Sequence, residues 1–147
     1  MTFAIALVKK PISAQKRGKK QRYQQEIRDA AIKSIGKTKL PLFYEELYVR
    51  ITWFHAIKPN LDVDNIAKPI LDALVGIVYD DDNRIAQCLI TRVKSRPKSF
   101  LSKRYISLEF RTQLEDLFEN HQDVLYIEVG PLYLPEVVFG PIDGGSK

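Results

Sequence analysis

Apolar residues recur along this chain with two different periods, one typical of strands and one typical of helices. Residues 46–56 alternate, with Leu47, Val49, Ile51 and Trp53 on one face, which predicts a half-buried strand. Residues 2–8, 85–94 and 105–111 have similar β-prone patterns, and 124–129 is predicted as a short last strand.

A period of three to four residues predicts two helices. After the first strand, Tyr23, Ile27 and Ile35 form one apolar stripe with Ala30 or Ala31, and Gly36 is a C-cap candidate. The second helix is predicted over residues 65–78, with Ile66, Ile70, Ala73, Leu74 and Ile77 on one face and Asp64, Lys68 and Asp72 on the other. Pro69 disfavours helical backbone at the preceding residue, which moves the effective start of this helix to about Lys68.

These elements predict an α+β fold in one compact domain, in the order β-α-β-α-β-β. A mixed β-sheet would pack with two main helices. Residues 95–104 have the length and turn residues of a hairpin loop. We expect the domain to cover residues 1–129, and the Pro- and Gly-containing residues 130–147 to form an extended or partly disordered tail.

Composition excludes several classes of protein. No apolar run approaches the roughly 18 residues of a membrane span, so no membrane association is expected. The first lysines follow the N-terminal apolar run instead of preceding it, unlike a secretory signal, and we expect a cytoplasmic protein. Cys88 is the only cysteine, which rules out an intrachain disulfide or a zinc site of several thiolates.

Charge is distributed unevenly around a net value of +5. Residues 1–40 hold eleven Lys or Arg against Glu26 and Asp29, whereas residues 113–147 hold seven acids against Lys147 alone. This asymmetry is typical of a protein with a polyanionic partner such as nucleic acid. Ordinary solubilising charge explains it equally well at this stage.

Acidic residues concentrate in residues 61–85 despite the basic total. Asp62 and Asp64 are two apart, and in extended backbone they would point the same way, about 6–7 Å apart. A run of three, Asp80 to Asp82, precedes the third strand. We expect the start of that strand to lie beside the end of the preceding one, close to the first pair. Three carboxylates at one point favour a hard cation, Mg²⁺ or Mn²⁺. The alternative is that these residues are caps and turns, with Asp64 as a helix N-cap.

Other motifs give no competing site. Neither acidic run has the ligand spacing of an EF-hand, and the chain contains no G-x-x-x-x-G-K-[ST] or G-x-S-x-G motif. His55, at a predicted strand end, is a candidate ligand or proton carrier, although such a histidine more often only completes a strand end.

The run D-V-D-N-I-A-K-P-I-L-D-A-L, followed by D-D-N-R-I, resembles the signature of the RusA family of Holliday junction resolvases. The resemblance spans residues 62–85 and implies that Asp62, Asp64, Lys68 and Asp82 are catalytic. Asp62, Asp64 and Asp82 would be metal ligands, and Asp81 is the alternative for the third. It further implies Mg²⁺ dependence, with Mn²⁺ as a substitute, a homodimer, and resolution of four-way DNA junctions by paired nicks in recombination and repair.

Two basic clusters are the predicted DNA-binding residues on this interpretation. They are Lys16, Arg17, Lys19 and Lys20, near Lys9, Lys10 and Arg22, and then Arg92, Lys94, Arg96 and Lys98. Two other functions stay open: a branched-DNA-binding protein without activity, and another Mg²⁺-dependent phosphodiester or phosphate hydrolase.

Overall fold

A four-stranded mixed sheet with two α-helices on one face forms the framework of the protein. The computed structural model describes residues 2–12, 17–55, 61–94 and 123–133. The strands are β1 (Phe3–Leu7), β2 (Leu47–His55), β3 (Ile85–Lys94) and β4 (Val124–Pro131). The α-helices are α1 (Arg17–Ile35) and α2 (Ala67–Leu74), and short 3₁₀ turns cover Val63–Asn65 and Asp82–Arg84. The predicted α+β class is confirmed.

The strand order in the sheet is β1-β4-β2-β3. β4 is antiparallel to both β1 and β2, whereas β2 and β3 are parallel. The β2–β3 register runs from Leu47 beside Ile85 to His55 beside Lys94. The expectation that β3 starts beside the end of β2 was therefore wrong, because a parallel crossover returns the chain to the start of the first strand.

The core lies between the sheet and the helices. The alternating residues Leu47, Val49, Ile51 and Trp53 of β2 are all at most 1% exposed on the helix side, as their pattern predicts. On α1 the buried positions are Tyr23, Ile27 and Ala31, which are four residues apart and lie on one face. Helix α1 ends as expected at Gly36, whose φ of 72° is a conformation that glycine adopts without a steric penalty.

Helix α2 is shorter than the predicted range of 65–78. It ends at Leu74 because Val75 is extended and Gly76 has a φ of 85°. The backbone then pairs with another segment, with Leu42 donating to Ile77 O (3.1 Å) and Phe43 to Val78 O (2.9 Å). Hydrogen bonds to a distant segment therefore take the place of the predicted last turn of α2. The local sequence pattern does not reveal these bonds, because their partners are far apart in the sequence.

Several predicted features lie outside the described residues. They are the strand at 105–111, the hairpin loop at 95–104 and the tail beyond residue 133. The boundary between the domain and the tail at residue 129 stays a prediction. In the structure, β4 continues through Gly130 to Pro131. In the described parts of the chain, no helix combines the length and apolarity needed to cross a membrane.

Candidate active site

The acidic segment enters the site at Leu61, which is buried and held by β3. Arg92 Nη1 donates to the carbonyl oxygen of Leu61 at 3.0 Å, near the C-terminal end of the strand. Asp62 keeps extended backbone (φ −73°, ψ 150°), and the chain then turns into the 3₁₀ helix Val63–Asn65. A predicted DNA-binding arginine therefore contacts the backbone at the start of the acidic segment.

Neither Asp62 nor Asp64 acts as a helix cap through its side chain. Asp62 occupies the N-cap position of the 3₁₀ turn without a side-chain hydrogen bond, and α2 is preceded by Ile66, not by Asp64. Both aspartates are exposed, and neither carboxylate has a hydrogen bond or ion pair with a described residue. The structural alternative, in which Asp64 caps the helix, is wrong, and both carboxylates are without a partner in the part of the chain that the structure describes.

Lys68 lies between two carboxylates, that of Asp72 one turn along α2 and that of Asp82 on a separate segment. Its Nζ is 3.0 Å from Asp72 Oδ1 and 3.8 Å from Asp82 Oδ2. The Asp72 carboxylate, with a smaller contribution from Asp82, holds the pKa of Lys68 above its ordinary value. The lysine side chain is 64% exposed, so this cation remains accessible to a ligand. Lys68 and Asp72 thus share one face of α2 as predicted, whereas Asp64 lies before the helix.

The three consecutive aspartates each have a different environment. Arg84 forms a two-pronged ion pair with Asp80, and this lowers the pKa of the Asp80 carboxyl. Asp81 is the N-cap of the second 3₁₀ turn, and its carboxylate accepts from Asn83 N–H at 3.0 Å. Only Asp82 is oriented towards Lys68. This division of roles supports Asp82 over Asp81 as the third catalytic residue.

Tyr79 is a part of this region that sequence reasoning missed. It is fully buried, and its hydroxyl donates to Leu71 O at 2.6 Å. Burial raises the pKa of Tyr79, and the nearby charges of Asp82 and Asp72 raise it further. The only signal in the sequence is an aromatic residue directly before the aspartate run, and that pattern does not distinguish a core residue from a site residue.

The predicted cluster of three carboxylates is not formed. Among the described residues, no group of three His, Cys, Asp or Glu lies close enough to hold a metal ion. One reason is that Asp64 follows Asp62 in a 3₁₀ turn, so the two no longer alternate as in a strand. The other is that Leu61 is tied to Arg92 near one end of β3, whereas Asp82 precedes the other end. The donor chemistry of exposed carboxylate oxygens nevertheless fits Mg²⁺.

The remaining predicted residues are dispersed. Lys19 and Lys20 lie in the first turn of α1, which begins at Arg17, and Lys94 ends β3 with its side chain exposed. His55 is buried with its ring centroid 5.3 Å from that of Trp53, as expected of a strand-end residue in the core. Lys16, Arg96, Lys98 and the side chain of Arg17 lie outside the described residues.

Comparison with known families adds to this geometry. The family model described as endodeoxyribonuclease RusA matches residues 6–101, which is more than half of the chain and includes the whole acidic segment. The chain belongs to the RusA family. A comparison with curated proteins gave no match.

Membership of the RusA family confirms the resemblance seen in the sequence. At the level of the family, it identifies the chain as an endodeoxyribonuclease, and it supports Holliday junction endonuclease activity. The match extends from β1 to beyond β3, so the basic start of α1 and the acidic segment belong to one RusA unit.

Proposed function

We propose that this protein is an Mg²⁺-dependent, structure-selective endodeoxyribonuclease that resolves four-way DNA junctions by paired nicks, in recombination and repair. The observation that supports it is the placement of Lys68 beside Asp82, together with the carboxylates of Asp62 and Asp64, which have no hydrogen bond or ion pair with a described residue. A metal-dependent hydrolase of DNA uses acidic side chains to bind a divalent ion, and a cationic side chain can stabilise the phosphate. This segment contains both kinds of residue.

Lys68 is the residue we propose to contact the scissile phosphate. The ammonium group of a lysine is charged at neutral pH, and Asp72 raises the pKa of Lys68 further. A fixed positive charge stabilises the negative charge that builds on phosphate oxygens as water adds to phosphorus. The hydrogen bond to Asp72 limits the freedom of the lysine side chain and orients it towards Asp82.

Asp62, Asp64 and Asp82 are the residues that would hold Mg²⁺, with Mn²⁺ as a substitute, although these carboxylates do not form a group of three in this structure. When bound, the ion lowers the pKa of a coordinated water and offsets charge on the phosphate. The exposed positions of Asp62 and Asp64 leave their oxygens available to such an ion without breaking a hydrogen bond to any described residue.

The proposed assembly is a homodimer in the cytoplasm that binds branched DNA. A four-way junction has two-fold symmetry, so a two-fold dimer would present two equivalent sites to symmetric strands. Sedimentation of the protein with and without junction DNA tests this proposal, and a monomer in both states would contradict it.

Cleavage assays test the function directly. We expect the wild type, with Mg²⁺ or Mn²⁺, to nick a labelled four-way junction in preference to linear duplex and to leave free nucleotides intact. We expect Asp82→Asn to bind the junction with similar affinity but to cut at least about 100-fold more slowly, since a proposed ligand carboxylate and one of the two carboxylates beside Lys68 are lost. Hydrolysis of nucleotides with intact DNA would favour a different phosphohydrolase.

A branched-DNA-binding protein without activity is the second candidate. It is favoured by the fact that the described carboxylates do not gather into a group of three. Junction binding by the wild type, with no cutting in either metal ion, would establish this second candidate and reject the first.

A further inference from the structure

Arg92, one of the predicted DNA-binding residues, makes a hydrogen bond within the protein. Its Nη1 atom donates to the carbonyl oxygen of Leu61 at 3.0 Å, and the two residues are 31 positions apart in the sequence. Leu61 is 9% exposed and belongs to the hydrophobic core, and the side chain of Arg92 is half-buried. The bond therefore joins β3 to the residue directly before Asp62.

The strand register places Arg92 on the face of the sheet that carries the helices. In β3, Arg92 lies beside Trp53 of β2, whose side chain is in the core on the helix side. Partner residues on neighbouring strands point to the same face, because the pleats of the two strands are aligned. The 3₁₀ turn Val63–Asn65 also packs against β3. The sheet therefore directs the guanidinium group of Arg92 towards the acidic segment.

The direction of the Asp62 side chain depends on its backbone. The carboxylate has no hydrogen bond or ion pair with a described residue. Two backbone carbonyl groups that flank the residue are bonded instead. The carbonyl oxygen of Leu61 accepts from Arg92, and the carbonyl oxygen of Asp62 itself accepts from Asn65 N–H at 3.0 Å. Each peptide unit is planar, so these two bonds limit the rotation of the backbone on both sides of the Asp62 α-carbon.

The two flanking bonds differ in what they hold. The bond from Asn65 closes the 3₁₀ turn, so it fixes only the local shape of the segment. Hydrogen bonds in 3₁₀ turns also have poorer geometry than those in α-helices. The bond from Arg92 comes from a strand of ten residues that pairs with β2 along its length. This second bond therefore relates the position of Asp62 to the sheet.

We propose that Arg92 is a positioning residue for Asp62, which acts through the backbone of Leu61. A contact with a DNA phosphate is the alternative role for this side chain. The inference rests on the proposed nuclease function, since Asp62 is one of the proposed metal ligands. Loss of the bond would free the peptide unit between Leu61 and Asp62 to rotate, and the carboxylate would then adopt several directions. A displacement of about 1 Å in a catalytic group can slow a reaction about 100-fold.

Hydrogen exchange in the metal-free protein, followed by NMR, tests the bond itself. Arg92→Met keeps a side chain of similar length but has no N–H donor. In this variant the Asn65 amide should exchange about 10-fold faster than in wild type, because the turn that it closes is no longer tied to β3. The amide of Ile127, in the centre of the sheet, should keep its protection, which separates local loosening from general loss of stability. Unchanged exchange at Asn65 would overturn the proposal.

Cleavage and DNA affinity should separate in the same variant. At saturating junction with Mg²⁺, Arg92→Met should cut about 30- to 100-fold more slowly than wild type. Its affinity for the junction in EDTA should not change, nor should the slope of log K against log salt, to which a phosphate contact would contribute about 0.9. Arg92→Lys, which keeps a donor, should recover about 10-fold of the lost rate. Lys33→Met, the same loss of charge in the exposed last turn of α1, should match wild type in every measurement.

The outcomes separate this inference from the nuclease proposal. Faster exchange at Asn65 in Arg92→Met, with a wild type that binds junctions but never cuts them, would support the link between Arg92 and Asp62 and reject the nuclease. If the wild type cuts, weaker binding with a lower salt slope and wild-type exchange in Arg92→Met would overturn the positioning role and assign Arg92 to the DNA interface. A wild-type cutting rate in Arg92→Met at saturating junction, despite faster exchange, would overturn the positioning role as well.

Discussion

Lys68 and Asp72 lie one turn apart on α2, and Nζ of Lys68 is 3.0 Å from Oδ1 of Asp72. The lysine side chain is 64% exposed, and exposed pairs contribute little to stability. The consequence of this pair is instead electrostatic and geometric. Asp72 raises the pKa of Lys68 and holds its ammonium group near Asp82, so we propose a positioning role for Asp72.

Asp72→Asn should slow junction cleavage, because it removes the hydrogen bond that orients the ammonium group of Lys68. We expect a rate at pH 8 about 3- to 10-fold below wild type, since the lysine is less well oriented. Single-turnover cleavage at pH 8 is the measurement. Asp29→Asn, the same change on α1, is the control and should leave the rate unchanged. A wild-type rate in Asp72→Asn would exclude the positioning role.

Substitution of Asp81 should affect stability, whereas substitution of the adjacent Asp82 should affect cleavage. Asp81→Ala removes the acceptor for Asn83 N–H and should lower the free energy of unfolding by about 0.5–1 kcal/mol, with cleavage nearly unchanged. Asp82→Ala should abolish cleavage with little loss of stability, since its only described ion pair is the 3.8 Å contact with Lys68. Urea unfolding and junction cleavage of both variants are the measurements. Loss of cleavage in Asp81→Ala alone would assign the third catalytic position to Asp81.

Gly130 is required in β4 because of Tyr48 on the neighbouring strand. A β-carbon at residue 130 would lie 2.8 Å from Cε1 and 3.0 Å from the hydroxyl oxygen of Tyr48. Gly130→Ala should therefore lower the free energy of unfolding by about 1–3 kcal/mol, since the ring must move. Gly18→Ala is the control, with no atom within 4 Å and no destabilisation expected. If the clash is the cause, Gly130→Ala should cost much less in a Tyr48→Ala background, as urea unfolding would show.

Tyr48 should also affect stability at alkaline pH. Burial, and then its hydrogen bond to Glu128 at 2.5 Å, raises the pKa of Tyr48 to about 12. The unfolded chain ionises this group near pH 10, so above that pH the unfolded state binds fewer protons than the folded state. The contribution of Tyr48 is therefore fully present below pH 10 and is lost between pH 10 and about 12. In Tyr48→Phe, the Tm should fall less steeply over this interval. Equal slopes of Tm against pH in the two proteins would show that the fold does not protect the Tyr48 hydroxyl from ionisation.

Glu128 shows what burial adds to a sequence pattern. It is 1% exposed in the centre of β4, and Tyr48 and Tyr126 both donate hydrogen bonds to its carboxylate. In the sequence, the segment VLYIEV predicts a strand, and nothing indicates whether its glutamate faces solvent or the interior. A buried carboxylate needs such donors, and only strand pairing places Tyr48 beside it.

Local pattern determined most of the framework of this protein. Alternation in β2, the apolar stripe of α1 with its terminal Gly36, and the start and end of β3 all agree with the structure, because each depends on neighbours only a few residues away. The two motifs within residues 62–85 likewise sufficed to indicate the RusA family.

The tertiary structure decided the features that depend on distant residues. It ended α2 at Leu74, where backbone hydrogen bonds from the Leu42–Phe43 segment replace the helical turn. It separated the roles of Asp80, Asp81 and Asp82, and it brought Lys68 to Asp82 while leaving Asp62 and Asp64 without described partners. Spacing along the chain sets which faces residues share within one element. It does not set where two elements meet, since that depends on strand register and helix packing across the whole fold.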